Sequence, residues 1–460
     1  MRLSVLLLSF LISGQAGALG SSLYPDLMEF DEAMALYRAG ELEPARRAFS
    51  HLAELGDPAA QFNLGVMLVK GEGGEPDAIT GTAWLQWAAD SGLAGAAEVL
   101  AIMASRLDED AQKQVAQALA GLQAGGSPSD RRTGPSDTDD GYWACFERNR
   151  HQPPPIYPMR ALDQDRVGFA MLHFLVGPEG NFDAIHAIPD GHHYGPFGPA
   201  AQEGARRWHA HGCRTQRYRH MTQSVVFEIV DGFGDPSISP ARKQWAGKVL
   251  AEARAGSPEQ SYIVGMLASL YETYFAVDAE ERLSLLHRAA VAGFPDARYE
   301  YWRAAGARGE RWLLLAARQG YPPALFALRK RQHLPREDRR RALHRAAEAG
   351  FLPAVYLAVR HLAAHPDASQ RDGARALQLS SVVHSRILRG DPSMAEVHAM
   401  ALAENGQFKD AVSWQKRAVS TGRRLGRDTT GAAARLARYE AGEPWRDPHL
   451  SSDPGGEDDG

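Results

Sequence analysis

Two hydrophobic periods alternate along this chain. Over 24–122 and again over 238–440, Ala and Leu recur at helical spacing up to a Gly, and a short run then leads into the next apolar stretch. This pattern predicts consecutive amphipathic helices. The phrase is plainest in Trp84-Leu-Gln-Trp-Ala-Ala-Asp-Ser-Gly92, Leu286-His-Arg-Ala-Ala-Val-Ala-Gly293, Trp312-Leu-Leu-Leu-Ala-Ala-Arg-Gln-Gly320 and Leu343-His-Arg-Ala-Ala-Glu-Ala-Gly350, with weaker copies ending at Gly56, Gly256, Gly390 and Gly422. Each Gly is expected to turn left-handed past a helix end, and Pro295, Pro322 and Pro353 suit the entry to the next helix. A helix pair leaves one apolar face bare, and stacking the next pair covers it, so such units come in arrays. The stripe that includes Trp84, Trp87, Trp302, Trp312 and Phe326 reads as core of these arrays rather than a ligand box.

The period changes over 141–233. Val167–Val176 is apolar throughout, and Phe182–Ile188 alternates after the turn Gly177-Pro-Glu-Gly180, which predicts a hairpin. Phe197, Ala201, Ala205 and Trp208 then fall on one helical face, and Val225, Phe227 and Ile229 alternate on a third strand, Gln223–Val230. The expected fold is therefore multidomain: α-helical solenoid repeats flanking a small α+β domain in the order strand, strand, helix, strand. Residues 123–140, rich in Gly, Ser, Pro and Asp, read as a flexible linker, and 441–460 as a disordered acidic tail.

The repeats resemble the Sel1-like family, a relative of the tetratricopeptide repeats; Ala60-Gln-Phe-Asn-Leu-Gly65, continuing to Gly71-Glu-Gly73 and Trp84, is nearest that pattern. The middle segment resembles the C-terminal domain of the TonB energy-transducer family through Tyr157-Pro158, Gly168 before the first strand, Gly180 in the turn, and Trp208 late in the helix. That resemblance implies a sheet that binds extended partner segments. A transducer keeps an uncleaved membrane helix and a long Pro-rich spacer, and neither pattern is present here, so transmission of force from a membrane motor is not expected. The segment Gly212–Gln223 also departs from the family, lacking its Pro after the Trp and carrying Cys213 and Arg217-Tyr218-Arg219 instead.

Composition narrows the chemistry. With 51 basic and 56 acidic residues in 460, the net charge of -5 disfavours general nucleic-acid binding. Residues 1–18, with Arg2, the apolar run Leu3–Ile12 and Ala16-Gly-Ala18, read as a cleaved signal peptide, which places the mature chain in the periplasm. In that oxidising compartment Cys145 and Cys213 are expected to form a disulfide, because no Cys-x-x-Cys is present. His192-His193, His209 and His211 invite a copper or zinc site, but residues two apart diverge on a helix, and solvated histidines are the favoured reading. No Gly-x-Ser-x-Gly, His-Glu-x-x-His or Gly-x-x-x-x-Gly-Lys occurs, so no catalytic residues and no cofactor are assigned. The basic run Arg336–Arg345 reads as a solvated helix face rather than an anion-binding patch.

These readings converge on an exported, non-enzymatic interaction scaffold of a Gram-negative envelope, whose partners are envelope proteins or extended peptides. The third strand, with partner positions Gln223, Val225, Val226, Phe227, Glu228, Ile229 and Val230, is the expected docking edge because no later strand precedes the resumed repeats. A periplasmic metal-binding protein and an accessory subunit of a cell-wall enzyme remain the alternatives.

Overall fold

Local chemistry starts the helices where the pattern places them. Asp57, Asp77 and Asp391 cap successive helices, each accepting from backbone N–H groups two or three residues on, and Pro58, Pro258, Pro295, Pro322 and Pro392 occupy first helical turns. Gly56, Gly92, Gly256, Gly293, Gly320 and Gly350 all take positive φ beyond helix ends. Gly390 and Gly422 depart from that expectation. Gly390 is the last residue of a helix, and Gly422 lies inside one, where a Cβ would come within 2.8 Å of Thr429.

The computed structural model describes residues 28–126, 140–164, 166–188, 196–210, 212–213, 218–227, 240–268, 270, 275–383, 385–448 and 450. The expected signal peptide, His192, His193, His211, Glu228, Ile229 and Val230 lie outside these. Among the described residues no helix is long and apolar enough to cross a membrane. The chain divides into two compact units, Met1–Arg132 with His287–Gly320, and Thr133–Leu286 with Tyr321–Gly460.

The first unit contains α1 (Phe30–Arg38), α2 (Leu42–Glu54), α3 (Pro58–Lys70), α4 (Ala78–Asp90), α5 (Ala96–Ala104) and α6 (Glu109–Gly126). The last of these runs into the segment expected as linker. Where α3 crosses α4, a Cβ on either Gly65 or Gly81 would come within 2.8 Å of the other's carbonyl oxygen, so only glycine permits this approach. Phe49, Leu64, Met67 and Trp84 fill the core beside that crossing, and Trp84 stacks on Trp87 at 5.4 Å. Residues 287–320, which the sequence pattern groups with the later repeats, complete this unit. Buried Arg298 grips both carboxylate oxygens of Glu29 at 2.6 and 2.9 Å, and a ring nitrogen of His287 lies 2.6 Å from the Leu55 carbonyl oxygen.

The second unit opens with the small domain: α7 (Asp140–Asn149), β1 (Arg150–His151), α8 (Met159–Asp163), β2 (Gly168–Val176), β3 (Phe182–Ala187), α9 (Phe197–Ala205), β4 (His209–Ala210) and β5 (Arg219–Phe227). β2 is central in an antiparallel sheet of order β3-β2-β5, and β1 pairs with β4 as a separate ribbon. The helix α9 covers one sheet face, where Phe197, Ala201 and Trp208 meet Leu172, Phe174 and Val176. The expected order of strand, strand, helix, strand is therefore present, with the short β4 added before β5.

Among the described residues the further helices are α10 (Pro240–Arg254), α11 (Pro258–Leu267), α12 (Ala279–Val291), α13 (Pro295–Ala305), α14 (Glu310–Arg318), α15 (Pro322–Leu328), α16 (Arg336–Glu348), α17 (Leu352–Ala364), α18 (Gly373–Ser381), α19 (Ser385–Gly390), α20 (Pro392–Glu404), α21 (Phe408–Arg424) and α22 (Thr430–Glu440). Those in the second unit close over the other sheet face. Phe169 packs on Ala246 and Val249 of α10 and on Ile263 and Val264 of α11, and Phe351, at the start of α17, lies edge-on to His173 and His186 at 5.3 and 5.0 Å. β2 is thus covered on both faces, which is why its sequence is apolar without alternation.

The chain beyond Glu440 departs from the expected disordered tail over its first residues. Asp447 pairs with buried Arg360 of α17 at 2.7 Å and its N–H donates to the Ala364 carbonyl, while Arg446 pairs with Glu404 at 2.6 Å. A buried guanidinium needs a carboxylate, and this segment supplies it.

Candidate functional site

The residues that carry the resemblance to the TonB domain converge on its interior. The Tyr157 ring stands edge-on to Phe197 and Phe227 at 5.9 and 5.7 Å, and its hydroxyl donates to the Arg166 carbonyl at 2.6 Å. Trp208 donates through Nε1 to the Pro153 carbonyl at 3.0 Å and packs against Phe174 and Phe182. Pro158 caps α8, Gly180 takes φ +73° in the turn, and a Cβ on Gly168 would strike the Phe197 ring at 2.2 Å. These five positions build the fold, not a reactive surface.

The docking strand is placed more openly. β5 pairs with β2 from Val176 opposite Arg219 to Gly168 opposite Phe227, and among the described residues it lies at the sheet edge. Val225 and Phe227 turn into the α9-side core, Val226 is exposed, and Gln223 exchanges a hydrogen bond with Gln152 at 2.9 Å. The segment 152–157 therefore flanks the strand on the α9 side. Ile156 and Met159 are well exposed beside it.

Cys145 and Cys213 form the expected disulfide, so Cys213 is not available as a metal ligand. His209 stacks on His151 across the β1–β4 ribbon at 4.9 Å, a pairing that sequence spacing did not show. Among the described residues no group of three or more His, Cys, Asp or Glu is placed to hold a metal.

The densest polar cluster joins the small domain to the repeats of its own unit. Arg427, between α21 and α22, donates to Asp183 at 2.9 Å, to the Phe182 carbonyl at 2.7 Å and to the Arg206 carbonyl at 3.0 Å. The Tyr218 and Tyr356 hydroxyls meet at 2.5 Å, Asn181 donates to the Asp428 carbonyl at 2.8 Å, and Glu396 pairs with Arg435 at 2.5 Å. Ala184 holds a left-handed backbone, φ 52°, and donates its N–H to the Ser393 hydroxyl of α20 at 2.9 Å instead of to a strand. Burial pushes the Asp183 carboxyl up to about 7 against the pull of Arg427, and burial raises both tyrosines. The adjoining cavity measures about 30 Å³, room for one or two waters and not for a substrate. The cluster therefore works as a clasp.

Burial also shapes the response to acid. His186, against Phe351, is held down to about 4, as is His361 in α17. A histidine lowered in the fold contributes stability that is complete above its unfolded value near 6.5 and is lost as pH falls toward 4. Asp183, raised in the fold, runs the other way: its contribution is present at low pH and is lost as pH rises toward 7. Comparing wild type with His186→Gln by chemical denaturation isolates one group. The stability difference is expected to be constant above pH 7 and to move against wild type below 6.5, by up to about 1.4 kcal/mol per pH unit. A difference independent of pH would show that His186 is not excluded from protonation.

No family model matches the chain, and no curated protein matches it. Among solved structures, it is similar to a Sel1 repeat protein from Oxalobacter formigenes, at 17% identity over 85% of this chain and 88% of that one, with a TM-score of 0.35. It is also similar to a protective antigen present in uropathogenic Escherichia coli strains and displaying an SLR fold, at 15% identity over 87% of this chain and 68% of that one, with a TM-score of 0.31.

Proposed function

We propose that this chain is an exported, non-enzymatic scaffold of a Gram-negative envelope, in which Sel1-like repeats hold a TonB-C-terminal-like sheet whose outer strand takes up an extended peptide. The observation that carries this reading is β5: nine residues paired along their length to β2, with no strand on the other side among the described residues. An outer strand offers main-chain donors and acceptors to an added strand, and alternate side chains supply selectivity. The clasp at Arg427 fixes the sheet, so little ordering cost remains for a peptide to meet. The disulfide suits an oxidising compartment.

Adjacent residues of a strand direct their N–H groups to opposite edges, so of Gln223→Pro and Ser224→Pro one removes a ladder donor and the other an outward donor. A photo-crosslinker at exposed Val226 is expected to capture an envelope partner, and the variant that keeps the ladder is expected to lose that capture while retaining the wild-type melting temperature. If both variants fold and capture as wild type does, the edge is not the binding site and the repeat surfaces take its place.

A further inference from the structure

Helix α16 carries part of its charge on one stripe. Glu337, Arg340, Arg341, His344, Arg345 and Glu348 follow each other at helical spacing and line an open groove of about 240 Å³, with Arg375 of α18 on its far side. The sequence reads Arg336–Arg345 as a solvated helix face rather than an anion-binding patch; in the structure Arg340, Arg341 and Arg345 line one concavity.

The arginines in the groove are not equivalent. Arg341 pairs with Glu337 at 3.1 Å and with Asp338 at 3.0 Å, and Arg375 pairs with Glu348. Arg340 and Arg345 have no carboxylate partner among the described residues, and Nη1 of Arg345 is buried without an acceptor. A buried guanidinium donor without an acceptor is costly. His344, half-buried in the groove, is lowered to about 4, first by burial and then by Arg375 and Arg340, with Glu348 and Asp372 opposing. The groove already satisfies Arg341 with two carboxylates and Arg375 with one, so what it lacks is an anion that engages the other two guanidinium groups at once.

We propose that this groove binds a phosphate group, held chiefly by Arg340 and Arg345. A phosphate monoester carries about two negative charges, a diphosphate more, and each offers three or more acceptor oxygens, which suits two guanidinium forks better than one more carboxylate does. The same chemistry is offered by a soluble phosphorylated compound and by a lipid headgroup. This site is separate from the β5 edge and does not depend on it.

Titration calorimetry of the full chain with inorganic pyrophosphate, and flotation with vesicles of phosphatidic acid in phosphatidylcholine, distinguish the two sources. Saturable pyrophosphate binding, weakened about tenfold or more in each of Arg340→Gln and Arg345→Gln, supports a soluble ligand. Flotation alone, equally sensitive to both variants, supports a headgroup. Circular dichroism melting checks that the variants fold, and Arg340→Lys is expected to recover part of the loss because it restores charge without the fork. Absence of binding in both formats, binding indifferent to the two substitutions, or equal binding of succinate overturns the proposal.

Discussion

Replacing Arg427 by Met is expected to cost about 3–5 kcal/mol of stability, read as a shift in the midpoint of chemical denaturation. The arginine is almost fully buried and reaches three acceptors, the Asp183 carboxylate and the carbonyls of Phe182 and Arg206. Met fills a similar volume but leaves a buried carboxyl and two buried carbonyls with no donor, and stranded groups of this kind account for most of such losses. The carboxyl then rises further, because the positive charge that opposed its burial is gone. Arg427→Lys is expected to fall between, since one ammonium cannot span three acceptors spread across a guanidinium fork. The double variant Asp183→Asn with Arg427→Met is expected to regain part of the loss, because the cost of neutralising a stranded buried carboxyl is gone. A cost below about 1 kcal/mol for Arg427→Met would mean that the sheet and the repeats do not rely on this clasp.

The legible parts of this molecule are those fixed by near neighbours. The repeat helices, their glycine turns, the hairpin at Gly177–Gly180 and the face made by Phe197, Ala201 and Ala205 all follow from spacing within about a dozen residues, whereas Trp208, expected late in that helix, lies beyond its end at Ala205 and reaches the same core from there. The clasp does not, because Asp183 and Arg427 stand 244 residues apart and nothing in either segment names the other. One trace was present in the sequence. The segment that departs from the resemblance contains Cys213, Tyr218 and Arg219, and in the structure Cys213 is bridged, Tyr218 shares a hydroxyl pair with Tyr356, and Arg219 is buried. The apolar run of β2, broken only by His173, was a second trace, since a sheet with one wet face would alternate. Gly422 and the segment around Asp447 misled for a common reason. Composition marks where a chain can turn or stay loose, and a tertiary partner such as Thr429 or Arg360 overrides it.

The disulfide carries the other large effect. Cys145 and Cys213 are separated by 68 residues, and closing a loop of that length is worth about 4 kcal/mol in the chain-entropy model. The bridge ties α7 to the segment after β4, and α7 contributes Phe146, whose ring stacks on Phe182 at 5.6 Å. Cys145→Ala with Cys213→Ala is therefore expected to lower stability by about 2–5 kcal/mol, and reduction of the wild-type protein by a similar amount. Phe182 also links this effect to the first, since its ring rests on Phe146 while its carbonyl accepts from Arg427. Groups that share a neighbour do not lose stability independently, so combining the cysteine pair with Arg427→Met is expected to cost less than the two losses added. Unfolding curves for the three proteins decide this. Strict additivity would show that the bridge steadies α7 alone, whereas a shortfall of about 1 kcal/mol or more would show that β3 transmits the constraint to the clasp.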